Sequence, residues 1–310
     1  MLSDLKSIAV RATPIALDIY DKTDPTTLLP FVAVVVTDPS LAEEVNLEWA
    51  AVFPELRKWI GDRVAQQGFA GKLKIRPELY EVTLDFDSID IERGTALIQA
   101  TEKATRIGRA FAVGKVLLAY RVLRENQLTY DGQDFFDDAH QHPDGTLASN
   151  LVNVVRANPA TPDVIEVREE MSAAVDRLMA NSILRDELVR SDEVRKGLVV
   201  FVRSQKVWSA YEKLRTEKSF GADPNLWQGA FELVRDFKPK VGTENTVDIV
   251  LATPNGPRPA IFVVSREPQG LKFDQSKEFA SRYLPFGMDA MYGVTPAFWQ
   301  TAVRVIQQTE

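Results

Sequence analysis

Cysteine is absent from this chain, and histidine occurs twice. The first absence excludes disulfide frameworks, thiolate zinc clusters and any cysteine nucleophile. The second leaves few side chains for metal binding or for general-base work near neutral pH. Long apolar runs are also missing. The longest, Leu28 to Val36, is the size of a strand, far short of the ~20 residues that a membrane-spanning helix needs. The opening residues carry acidic side chains among the apolar ones and offer no clear small-residue cleavage site, so no secretory signal is expected and a cytosol is the default compartment. Basic residues are in deficit, 37 against 44 acidic, for a net charge of −7. That balance argues against extended phosphate binding, which needs clustered Lys and Arg, although it allows one local basic face.

What is present is a globular composition, 45% hydrophobic over 310 residues, enough for one large domain or two ordinary ones. Residues 1–44 mix short apolar stretches with turn-forming "DKTDPTTLLP" and "TDPS", and read as an extended arm that relies on neighbours. Deleting residues 1–30 should then leave a folded subunit. A glycine-bearing segment follows, with a short helix expected around Leu56 to Ile60. It ends in a strand whose Tyr80, Val82, Leu84 and Phe86 share one face. Leu97, Ala100, Ala104, Ile107, Phe111, Leu118 and Val122 recur at helical spacings, which predicts an amphipathic helix over about 96–125. Past the linker "NPATPD", Val167, Met171, Ala174 and Leu178 mark a helix. A buried strand, Leu198 to Val202, then feeds a second helix with Ser204 as its N-cap. The last third is strand-like: "TVDIVLA", "RPAIFVVSRE" and "FWQTAVRVI", the last alternating from Trp299 to Val305. The fold class is α+β.

Chemical motifs are sparse. "GRAFAVGKV" places five residues between Gly108 and Gly114 where a phosphate-binding loop has four, and Val116 follows Lys115 where that loop needs a hydroxyl. Its glycines read as small residues that let helices pack closely. No G-x-S-x-G elbow occurs. Carboxylate pairs such as Glu43-Glu44, Asp137-Asp138 and Glu169-Glu170 read as solvated faces. The stretch "YDGQDFFDDAHQHPDG", residues 130–145, holds both histidines and four aspartates within eight residues. A metal-dependent hydrolase would use Asp131, Asp134, His140 and His142. The histidines are two apart, however, a spacing that neither helical i, i+4 nor H-x₃₋₅-H supplies. Turn residues at both ends and the anchors Phe135 and Phe136 favour a structural loop.

The same residues carry a resemblance. "YDGQDFFDDAHQHP" resembles the Y-D-G-x-x-F-F-D-x-x-H-P signature of the Mu-like phage major head subunit, the gpT-type capsid protein. In the same order, "FPELRKWIGDR" resembles that family's F-P-x-L-x-x-W-x-G-x-R, and "RPAIFVVSREP" its K-P-L-I-F-Q-x-R-x-x-P. "FGMDAMYGVTPAFWQTAV" resembles its Y-G-V-D-A-R-G-x-A-G-Y-G-L-W-Q-x-A, with Met291 in place of the Arg. The resemblance implies the major capsid protein fold of tailed double-stranded DNA phages. In that fold residues 1–44 would be the N-terminal arm, 45–88 the E-loop and 89–163 the P-domain with a spine helix. Residues 164–265 would be the A-domain, and 266–310 a return to the P-domain with the C-terminal strand. It further implies pentamers and hexamers of this chain in an icosahedral shell assembled in a bacterial host cytoplasm. Scaffold, portal and decoration proteins would be its partners, with packaged double-stranded DNA held without sequence specificity and no membrane. No catalytic residue, cofactor or metal is implied. A shell protein of a non-viral compartment is the competing reading.

Overall fold

A computed structural model describes residues 2–23, 28–50, 70–87, 89–90, 95–142, 145–181, 197–220, 223–236, 245–252, 256–273 and 283–309. The elements run in order α1 (Leu2–Lys22), α2 (Leu29–Val32), β1 (Ala33–Thr37), β2 (Val45–Ala50), β3 (Ala70–Ile75), β4 (Glu78–Asp87) and α3 (Ala96–Glu125). Then come β5 (His140–Gln141), β6 (Leu147–Ala148), β7 (Leu151–Arg156), α4 (Val164–Asn181), β8 (Leu198–Val202) and α5 (Gln205–Thr216). The remainder is β9 (Ser219–Phe220), β10 (Asp223–Pro224), β11 (Phe231–Arg235), β12 (Thr246–Leu251), β13 (Ala260–Arg266), β14 (Lys272–Phe273), β15 (Tyr283–Pro296) and β16 (Ala302–Thr309).

Two sheets flank the long helix α3. In the first, β15 pairs antiparallel with β4 over Tyr283↔Asp87 to Tyr292↔Glu78, and on its other side with β14 and β13; β1 adds in parallel to β13. In the second the order is β11-β8-β12-β16-β7. Strand β8 is buried on both faces. Val199 and Phe201 join the core that contains α3, while Leu198, Val200 and Val202 join a second core under α4 and α5. A near-continuous apolar run such as "LVVFV" is what a strand covered on both sides requires. Strands β2 and β3 form an antiparallel hairpin whose base, Val45, Leu73 and Ile75, packs on Ile261 and Val263. The helix expected at Leu56 to Ile60 lies outside the described residues.

The expected α3 is present over Ala96–Glu125, and Ala100, Ala104, Ile107, Phe111 and Val122 are buried along it. Leu97 is not: it is 39% exposed, and Ala96 takes the inward position. Helix α4 buries Val167, Met171, Ala174 and Leu178 completely, and Glu166 reaches back to the Asp163 amide as in a capping box. Ser204 holds the N-cap position of α5 in an extended conformation, without a side-chain capping bond.

Three expectations are corrected. Residues 1–44 are not an extended arm, because Leu2–Lys22 is a helix whose Leu5, Ile8, Ala12, Ala16 and Tyr20 are buried at helical spacings in the main core. Pro14, which lacks an N–H, forfeits one intrahelical bond without ending the helix. Next, Trp299–Thr301 is a 3₁₀ turn closed by the Thr301 N–H donating to the Phe298 carbonyl at 3.1 Å, and the strand begins only at Ala302. Finally, the sheets cross the boundaries 164–265 and 266–310. Strand β13 belongs with β1 and β15, whereas β16 and β7 belong with β12. Ladder membership is set by pairing across long sequence separations, which local patterning does not encode.

Candidate functional site

The loop after α3 is organised by its first and last residues. Asn126 ends the helix in the left-handed region, φ 54°, where Asn is one of the few tolerated residues. Its Oδ1 accepts from the Phe136 N–H at 2.7 Å, and its Nδ2 donates to the Phe136 carbonyl at 3.3 Å, which sews the loop back onto the helix end. Gly132, at φ 81°, makes the turn that closes onto the Thr129 carbonyl. Asn150, fully buried, accepts from the Asp137 N–H at 2.9 Å and donates to the carbonyls of Phe135 and Trp299 at 2.6 and 3.3 Å.

These contacts wrap the loop around Trp299. His140 is fully buried and lies parallel to the indole, 4.2 Å between ring centroids; the His142 ring is tilted against it at 5.3 Å. The His140 Nδ1 meets the Asp131 carboxylate at 2.7 Å, and Nε2 faces the Phe135 carbonyl at 3.2 Å. Burial pushes the Asp131 carboxyl up, but hydrogen bonds from His140, Thr129 and the Gln133 amide outweigh it and hold it below its ordinary value. Phe135 and Phe136 are both buried, edge to face at 5.0 Å.

The proposed metal residues are therefore not brought to one point. Asp131 and His140 are spent on each other, His142 lies on Trp299, and Asp134 is exposed. Among the described residues no three His, Asp or Glu side chains converge as a metal would require.

Sequence reading missed the charged centre beside this loop. Asp248 of β12 sits directly across from Arg304 of β16, both on the sheet face toward α3. Arg304 donates to Asp248 through Nε at 2.7 Å and Nη2 at 3.0 Å, and Nη2 also reaches the Leu123 carbonyl in the last turn of α3 at 2.8 Å. Its guanidinium lies 4.0 Å from the centroid of Phe136. Arg203 donates to the same carboxylate and to Thr246. Burial pushes the Asp248 carboxyl up, and the two guanidiniums more than reverse this, leaving it below its usual range. Helix end, loop and second sheet thus share one ionic knot. A second buried pair, Arg156 with Glu170, ties β7 to α4, and the Tyr211 hydroxyl of α5 donates to Glu170 at 3.1 Å. The sequence signal for the Asp248 knot is a lone charge inside an apolar strand, as in "TVDIVL" and "AVRVI"; a buried charge must find a partner.

Comparison with known proteins gives this arrangement a context. Residues 20–165 match the family model of the Mu-like prophage major head subunit gpT. The match contains α3 and the whole His140 loop. The major capsid protein of Escherichia phage Mu is 28% identical over 205 residues, covering 61% of this chain and 66% of that protein, just under two thirds of its length. Among solved structures, the capsid of the cyanophage P-SCSP1u superposes with a TM-score of 0.55 at 7% identity, covering 90% of this chain and 87% of that one. The virus-like particle of Pyrococcus furiosus superposes with a TM-score of 0.54 at 13% identity, covering 96% and 99%. Over residues 20–165 the chain is thus similar to the Mu-like gpT major head subunits, and as a whole it shares the fold of solved capsid proteins.

Proposed function

We propose that the chain is the repeating subunit of a closed icosahedral shell that encloses double-stranded DNA, assembled in a bacterial cytoplasm from pentamers and hexamers. The observation that carries the reading is the family match over residues 20–165, since that span holds the long helix and the loop locked to it. A shell needs many modest heterologous contacts between rigid copies, so that misplaced subunits can leave. The Asp248 knot supports the rigidity, because it fixes α3 to the second sheet through buried charge-assisted bonds. The hairpin of β2 and β3 would be the base of the E-loop, and α4, α5 and the second sheet would form most of the A-domain. Scaffold, portal and decoration proteins are the further partners under this reading, and no catalytic role is assigned.

The fold alone does not separate a phage head from another shell-forming particle, because a phage capsid and a virus-like particle are both among its likenesses. Expression of the chain alone and with its neighbouring genes, followed by electron microscopy and sedimentation, tests the proposal. Closed shells that protect DNA from nuclease are expected. Monomers at all concentrations, with or without the neighbouring genes, would refute it, and shells that hold a protein cargo and no DNA would favour the compartment.

A further inference from the structure

A groove of about 300 Å³ runs between α3 and the sheet strands β4 and β15. Its walls are apolar: Val82, Phe111, Leu118 and the rings of Tyr80 and Tyr292. Gly114 forms part of its lining. A glycine in a helix interior costs stability relative to alanine, and at Gly108 close packing explains the residue. Gly114 has no such reason, because a Cβ built there would meet nothing within 4 Å. Nearby Leu117 is 48% exposed. The groove is therefore open and apolar where the helix has given up a side chain.

Its charge is opposite to that of the chain. Lys115, Arg121 and Arg124 line it against one acidic residue, Glu81, on a protein of net charge −7. Lys115 is already committed to Glu267 at 2.8 Å. Arg121 reaches Glu125 only at 3.5 Å, and its buried Nε has no hydrogen-bond partner. Arg124 makes no ion pair among the described residues. A concave apolar wall with a few unfilled donors at its rim is the form of a recognition site, and guanidiniums favour carboxylates.

We propose that this groove docks an acidic peptide segment of a partner protein, with one apolar side chain seated against Phe111 beside Gly114 and carboxylates on Arg121 and Arg124. The assignment goes beyond shell formation and does not depend on it, since a chain that fails to bind such a segment can still assemble.

The test uses the full chain and a fluorescein-labelled hexapeptide, Glu-Glu-Leu-Phe-Asp-Glu, read by anisotropy. Saturable binding is expected. It should weaken by at least about tenfold for the neutral Gln-Gln-Leu-Phe-Asn-Gln peptide, for a peptide with Ser in place of Leu and Phe, and for Arg124→Gln. Gly114→Leu should abolish binding by filling the groove, without lowering the melting temperature, because Leu is the better helix former. Exchange of the exposed Arg109 for Gln should change nothing. Equal binding of the acidic and neutral peptides, or binding retained in Gly114→Leu, overturns the proposal. It is equally overturned if no peptide binds while Gly114→Leu disrupts self-association, since the occupant is then a second copy of this chain.

Discussion

Gly108 of α3 lies directly against Ala16 of α1, so closely that a Cβ added to Gly108 would stand 2.2 Å from the Ala16 carbonyl oxygen. The neighbour is backbone and has no rotamer to yield. Gly108→Ala should therefore destabilise the subunit by about 1–3 kcal/mol, despite the better helix propensity of alanine. Gly114→Ala, six residues along the same helix, should stabilise it by about 0.5–1 kcal/mol. Urea denaturation of the two variants checks both signs, and a shift in the same direction for both would contradict the packing described.

The same contact governs what removal of the N-terminus does. Helix α1 contributes Leu5, Ile8, Ala12, Ala16 and Tyr20 to the main core, and its Thr13 hydroxyl accepts from the Leu271 N–H at 3.0 Å. Deletion of residues 1–22 should expose the alanine-rich face of α3 and yield aggregated or non-cooperatively unfolding protein. A soluble truncation with an unchanged, sharp thermal transition would show that α1 is dispensable to the fold.

The difference between α1 and α3 shows what the sequence made legible. In α3 large side chains such as Ile107 and Phe111 recur against charged faces, so the period stands out. In α1 the buried stripe includes Ala12 and Ala16, whose weak hydropathy contrast is interrupted by Pro14; its meaning depends on the complementary small residues Ala100, Ala104 and Gly108 elsewhere in the chain. The Phe135 and Phe136 anchors could be read from their turn-bounded setting. The pairing of His140 with Asp131, and of Asp248 with two arginines, could not, because each partner is brought in by tertiary structure. A solitary charge in an apolar strand signals that some partner exists without naming it.

Within the loop the ranking of substitutions follows burial. Phe135→Ala removes a fully buried ring and should cost about 3–5 kcal/mol. His140→Ala loses the stack on Trp299 and leaves the Asp131 carboxylate with only Thr129 and the Gln133 amide, for about 1–3 kcal/mol. His142→Ala should cost less than either. Thermal melts with and without EDTA test the structural reading, and a chelator should leave all melting temperatures unchanged. A chelator-dependent drop that disappears in the histidine variants would instead restore a metal to this loop.

The Asp248 knot should set the acid limit of the subunit. An aspartate in the unfolded chain titrates near ~3.9, and the guanidiniums of Arg203 and Arg304 hold the folded carboxyl lower despite its burial. A depressed pKa means that the folded state binds the proton less readily than the unfolded state. The stabilisation is therefore fully present above the unfolded value and is lost as pH falls through the folded one. Asp131, shifted in the same direction, adds to that loss. Asp248→Asn should cost about 3–5 kcal/mol at neutral pH, because it leaves two buried guanidiniums facing a neutral amide. It should also flatten the decline in stability below about pH 4, since the titrating group is gone. Denaturant midpoints measured from pH 7 down to pH 2.5 would show both effects. An acid limb as steep in the variant as in the parent would mean that other carboxylates, and not this knot, set the limit.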